Sequence, residues 1–206
     1  MANITDTGFK WVKGNTGAER APIEERPVVT TQSGAIFRGD CVKLVSDGTV
    51  IKCAAGDAVY GVVTSIVRYK DTSGVIRSGN FLPDATVFSG APSLSNPQAS
   101  IVSLIPAAGQ VFEADVDTSQ ATITAAQGIM GNNVNIVATT GSTTTGRSGH
   151  VIDGGSTTTP ATTSSLQWRL LEIVPDPLND VTSANWKARV SINLGNQPNL
   201  GGTTGV

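Results

Sequence analysis

From Val28 onward, short runs rich in Val and Ile recur along the chain, each closed by a turn signal, and few folds other than a stack of β-strands accept that pattern. Candidate strands lie at 41–45, 49–54, 58–69, 74–77, 85–88, 101–105, 110–116, 133–138, 166–174 and 186–194. The breaks between runs carry Asp47-Gly48, Ser73-Gly74, Gly141, Gly146, Gly154-Gly155 and Gly195-Asn196. The last run alternates most cleanly. Trp186, Ala188, Val190, Ile192 and Leu194 fall on one face, and Lys187, Arg189, Ser191 and Asn193 fall on the other. Only 119–127 has the makings of a helix, a short one, and its threonines weigh against it. The fold expected is all-β, built of small barrel-like or sandwich-like units.

Around these strands the organisation is uneven. Residues 1–27 show no sustained period, with Phe9 and Trp11 set among Lys, Gly, Asn and Thr. They read as an extended arm. Phe9 and Trp11, two positions apart, would share one side of it and dock on a partner or a neighbouring subunit, with Lys13 beside them; the alternative is a frayed tail. An N-terminal β-domain over 28–90 and a second β-region over 91–206 are separated at 91–97, where prolines and serines cluster. The Thr/Ser/Gly-rich segment 139–165 reads as a long surface excursion holding a short strand at 150–152, and 195–206 as a flexible or partner-ordered tail.

The stretch from Cys41 to Cys53 allows two hairpin registers. A two-residue turn at Asp47-Gly48 pairs Val42 with Cys53, gathers Lys43 and Lys52 on one face, and points the two cysteines apart. A three-residue loop with Gly48 left-handed sets Cys41 opposite Cys53 but mixes the lysines with apolar neighbours. The cost of burying lysine favours the first register and free thiols.

Composition narrows the chemistry. Charged residues are 15% of the 206, well below the roughly 25% common in soluble domains, so the surface must be largely Ser, Thr, Asn, Gln and Gly. A net charge of −2 leaves no basic excess for direct nucleic-acid binding. No apolar stretch approaches the ~18 residues of a membrane span, and the first residues lack the basic and apolar regions of a signal peptide, so cytoplasmic synthesis is expected. His150, the single histidine, sits in polar low complexity, so neither a Ser/His/Asp set nor a zinc site is read; no cofactor is expected. Glu113, Asp115 and Asp117 share one face of a strand and fit a solvated edge better than a glycosidase or Ca²⁺ site. Trp168 and Trp186 read as core. Arg38-Gly39-Asp40 matches an adhesive tripeptide, but Asp40 at a loop-to-strand junction fits local backbone capping better.

Gly39-Asp40-Cys41-Val42-Lys43-Leu44, Asp47-Gly48-Thr49-Val50, Ala54-Ala55-Gly56-Asp57 and Tyr60-Gly61-Val62-Val63, in that order, resemble the capsid cement (decoration) proteins of tailed bacteriophages. The stretch at 106–117, Thr145-Gly146-Arg147-Ser148 and the closing strands over 168–194 are similar to the same family. The two cysteines and the length of the Thr-rich segment depart from it. The resemblance implies a structural virion protein that is not an enzyme. Such a protein binds the major capsid protein on the outside of an icosahedral head, often as trimers. Two alternatives stay open: a tail or head-fibre component that contacts the host, and a carbohydrate-binding or hydrolytic β-domain using Glu113 and Asp115.

Overall fold

The computed structural model describes residues 3, 8–14, 20–29, 31–71, 73, 75–84 and 100–193. The alternation read at the end of the chain is realised in β15 (Trp186–Ile192), which buries Trp186, Ala188, Val190 and Ile192. This strand lies antiparallel between β10 (Gln110–Val116) and β14 (Trp168–Ile173). Beyond β14 comes β11 (Asn133–Val134). On the other side of β10, β1 (Lys10–Gly14) pairs with its first half. β13 (Arg147–Ile152) meets its end in parallel and carries β12 (Ile136–Ser142) outside it. These seven strands form one sheet.

The second sheet has six strands. Its main order is β2 (Glu24–Pro27), β9 (Ile101–Pro106), β6 (Gly61–Lys70), β4 (Cys41–Leu44) and β5 (Val50–Lys52), with β7 (Ile76–Arg77) on the far end of β6. A ribbon of β3 (Ile36–Phe37) and β8 (Phe81–Leu82) stands beside it. The sheets curl into a half-barrel, and the fold is all-β. The one helix among the described residues, α1 (Ile123–Gly128), overlaps the stretch read as helical at 119–127 and runs one residue past it. Its neighbouring threonine favours it, because Thr122 caps the first turn by accepting the Ala125 N–H.

Two apolar clusters explain why the Val/Ile runs are nearly continuous. Cys41, Cys53, Val62 and Ile105 face the seven-stranded sheet, where they meet Phe112, Trp168, Trp186 and Val190. Val42, Val50, Val63, Val102 and Leu104 point the opposite way, into the curl of their own sheet, with Ile36 and Leu82. Neighbours such as Val62 and Val63 are thus both buried, and the six-stranded sheet has no wet face at its centre. Gln167 links the two sheets. It is fully buried; its Oε1 accepts the Ile136 N–H, and its Nε2 donates to the Ala54 and Asp57 carbonyls.

Four readings from the sequence differ from what is observed. The hairpin takes the other register: Val42 opposes Lys52, Lys43 opposes Ile51, and Gly48 is left-handed at φ +82°. The lysines tolerate this because each has an acid, Lys43 with Asp57 at 2.7 Å and Lys52 with Asp40 at 3.2 Å. Cys53 N–H donates to Cys41 O, and both thiols are buried and free. The strands also cross the expected domain division, since Ile101–Pro106 pairs with β6 and β2 rather than with later strands. The N-terminal segment is not a separate arm. Its described parts are strands of both sheets, and Asn3 brackets the 180–184 turn, donating to the Asp180, Ser183 and Ala184 carbonyls and accepting the Asp180 N–H. The polar segment 139–165 is largely a hairpin and a capped loop. Ser148, His150 and Asp153 are buried, and Asp153 accepts N–H groups from Gly155, Thr157 and Thr158. Polar side chains go inside when hydrogen bonds replace water, as the loop N–H groups do for Asp153 and Asp40 does for Ser148. The strand expected at 85–88, the division at 91–97 and the tail at 195–206 lie outside the described residues.

Candidate functional site

Four segments meet where the N-terminal strand crosses the molecule. Phe9 N–H donates to Gly39 O at 3.0 Å, Gly8 N–H to His150 O at 3.2 Å, Gly39 N–H to Val63 O at 2.7 Å, and Ser148 N–H to Arg38 O at 3.0 Å. Gly8 and Gly39 both have positive φ, +98° and +91°. A Cβ on Gly39 would stand 2.9 Å from the Gly8 Cα, so the tripeptide needs its glycine for a backbone crossing.

Beneath the crossing is a buried polar node. Asp40 is fully buried. It accepts the Phe37 N–H and the Ser148 hydroxyl, and it pairs with Lys52. An Asp in this position is not available to an adhesion receptor. His150 is also fully buried. Its Nδ1 accepts the Cys41 N–H at 3.1 Å, which leaves the proton on Nε2, 3.7 Å from Asp40. Burial holds the imidazole down at about 4, opposed by Asp40 and assisted by Lys52. No spacing or motif signals that Asp40, Ser148 and His150 converge across more than a hundred residues. The geometry does not activate Ser148: its hydroxyl donates to the carboxylate and accepts the His150 backbone N–H, with no bond to the imidazole. The node joins β13 to the 37–41 segment.

Above the crossing, a cleft of about 390 Å³ opens between the sheets. Phe9 and Ile105 give it a buried apolar floor, Trp11, Val63 and Thr64 line its sides, and Lys10, Arg38 and Arg147 stand on the rim. Arg38 and Arg147 lie side by side through a parallel backbone bridge, and both are exposed. Lys10 also begins a cross-strand row of alternating sign on the outer face: Lys10 opposes Glu113, Glu113 opposes Arg189, and Arg189 opposes Glu172. In the next row Asp115 opposes Lys187. Asp115 is buried, not on a solvated edge, because β10 is a central strand. Burial pushes its carboxyl up to about 6 against the pull of Lys187 and Lys10.

The expected interface residues divide accordingly. Phe9 is 4% exposed and stacks on Trp168 at 4.7 Å between ring centroids, so it belongs to the chain's own core. Trp11 is half-buried and donates its indole N–H to Gln110 at 2.7 Å. Lys13 is exposed beyond a bulge in β1. The arm's aromatics do dock, but on their own sheet. Trp168 and Trp186 are fully buried and offer no sugar platform. Sequence reasoning missed Lys10, Arg38 and Arg147 as a group, because nothing in spacing joins positions on three different elements.

Fold and site together define an all-β, two-sheet protein whose solvent-facing feature is a cationic, apolar-floored cleft, with no group of three metal-ligating side chains among the described residues. No helix of the described residues is long and apolar enough to cross a membrane. No family model, curated protein or solved structure matches the chain.

Proposed function

We propose that this chain is a structural virion protein, a capsid cement protein that binds the major capsid protein on the outside of an icosahedral phage head and stabilises the shell, acting as a trimer. One observation carries the reading. The side chains best suited to chemistry, Asp40, Cys41, Cys53, Ser148 and His150, are all buried in contacts that hold the fold, while the whole chain is only 15% charged. A surface of that kind suits packing against many copies of one partner, where modest contacts multiply through avidity. The residues that resemble the cement family fall on β4, its hairpin turn, the 54–57 turn and the start of β6, so they support a shared scaffold.

The test is co-sedimentation of purified protein with shells assembled from the major capsid protein of the same virus. Saturable binding and a raised shell melting temperature are expected. Protein left in the supernatant at every concentration overturns the proposal.

A further inference from the structure

We propose that the inter-sheet cleft is a docking site for a second copy of this chain, whose 176–180 turn enters it with Leu178 on the apolar floor and Asp176 against Arg38. The inference deepens the self-association part of the proposed function and rests on it.

The cleft asks for a ligand that is apolar at its tip and negative at its flanks. Its lining includes the apolar residues Phe9, Val63 and Ile105, and its rim carries Lys10, Arg38 and Arg147. Arg38 is exposed and has no carboxylate partner among the described residues. A volume of about 390 Å³ falls at the lower end of the ~300–1,000 Å³ usual for binding sites, which suits one or two side chains. A long polyanion fits poorly, because Glu113 and Glu172 share the sheet face that Lys10 opens onto, and the net charge is −2.

The same molecule displays the complementary shape elsewhere. Leu178 is 66% exposed at the tip of the turn between β14 and β15. Asp176 precedes it and Asp180 follows. The turn is rigid before it binds anything: Leu178 N–H donates to Asp176 Oδ1 at 2.8 Å, Asn179 Nδ2 donates to the Val174 and Lys187 carbonyls, and Asn3 holds Asp180. A preformed loop loses little freedom on docking. Within one chain Leu178 lines a different, smaller hollow with Asn3 and Lys187 and is not among the residues of the cleft, so the contact must come from another copy. Because cleft and turn are different patches, each contact leaves one of each unused until the assembly closes. A closed ring, such as a trimer, satisfies all of them.

Complementation tests this. Sedimentation velocity of the full chain, without shells, should show a concentration-dependent oligomer. Arg38→Glu and Leu178→Asp, both surface changes, should each weaken association about thirtyfold or more. An equimolar mixture of the two variants should recover a dimer, since one variant keeps an intact turn and the other an intact cleft. A wild-type chain that stays monomeric, single variants that associate like wild type, or a mixture that stays monomeric each overturn the inference. Shell binding by the wild-type chain separates this outcome from the cement reading: a wild-type chain that stays monomeric yet still binds shells fails the docking proposal and leaves the function standing.

Discussion

At the scale of single residues, two buried groups oppose each other in their response to pH. His150 titrates at about 4 in the fold against an ordinary 6.5, so its contribution is full above pH 6.5 and is lost as pH falls toward 4, about 3 kcal/mol in all. Asp115 titrates at about 6 against 3.8, so its contribution is full below pH 3.8 and is lost as pH rises through 6, again about 3 kcal/mol. Denaturant unfolding from pH 7 to 4.5 should therefore give a nearly flat stability curve. Asp115→Asn should make stability fall with acid, and His150→Asn, which keeps an acceptor for the Cys41 N–H, should make it rise. A wild-type slope unchanged in both variants refutes this. Gly39 makes a second prediction. Gly39→Ala places a Cβ against Gly8 at positive φ and should lower stability by about 2 kcal/mol or more, whereas Arg38→Ala should change it by less than about 0.5. Thermal melts of the two variants decide it. Only the local cap was legible in the sequence, where Asp40 at a loop-to-strand junction accepts the Phe37 N–H as expected; the burial, the titrations and the backbone crossing were not. An Arg-Gly-Asp tripeptide looks the same whether its Asp is offered to solvent or buried, and a lone histidine shows its burial only when its neighbours are known.

Among the elements, the strands were the most legible part of the chain and the N-terminal segment the least. Period-2 alternation identifies β15 because one of its faces is buried and the other is charged. No such rule exposes β1, where five residues mix Lys, Trp, Val and Gly and a bulge separates Trp11 from Lys13. The hairpin takes the other register because neither lysine is left unpaired: Asp57 meets Lys43 and Asp40 meets Lys52. Phe9 and β1 should thus behave as part of the fold's core. Phe9→Ala removes a ring stacked on Trp168 and should cost about 3–5 kcal/mol, close to the total stability of many domains. Removing residues 1–14 should lower the melting temperature by a comparable amount. A truncated chain that melts like the full one would show β1 to be dispensable.

For the molecule as a whole, the all-β class followed from the spacing of strands and turns, but the way the two sheets share strands did not. A strand's pattern says that a face is buried, not which sheet buries it. Gln167 is the sharpest test of how the sheets are joined. Gln167→Leu leaves the Ile136 N–H and the Ala54 and Asp57 carbonyls without their partner, and it should cost about 2–4 kcal/mol in denaturant unfolding, more than a surface Gln→Leu change. Equal stability would mean that water replaces the amide. The pairing of Lys10–Gly14 with Gln110–Val116 also dictates an order in time. The partner strand is translated about a hundred residues later, and β10 is itself completed by β15, later still. Loops of that length close slowly, so folding should take milliseconds to seconds. Until those strands leave the ribosome Phe9 and Trp11 have no surface to join, so a segment translated well before its partners is among the last to find its place.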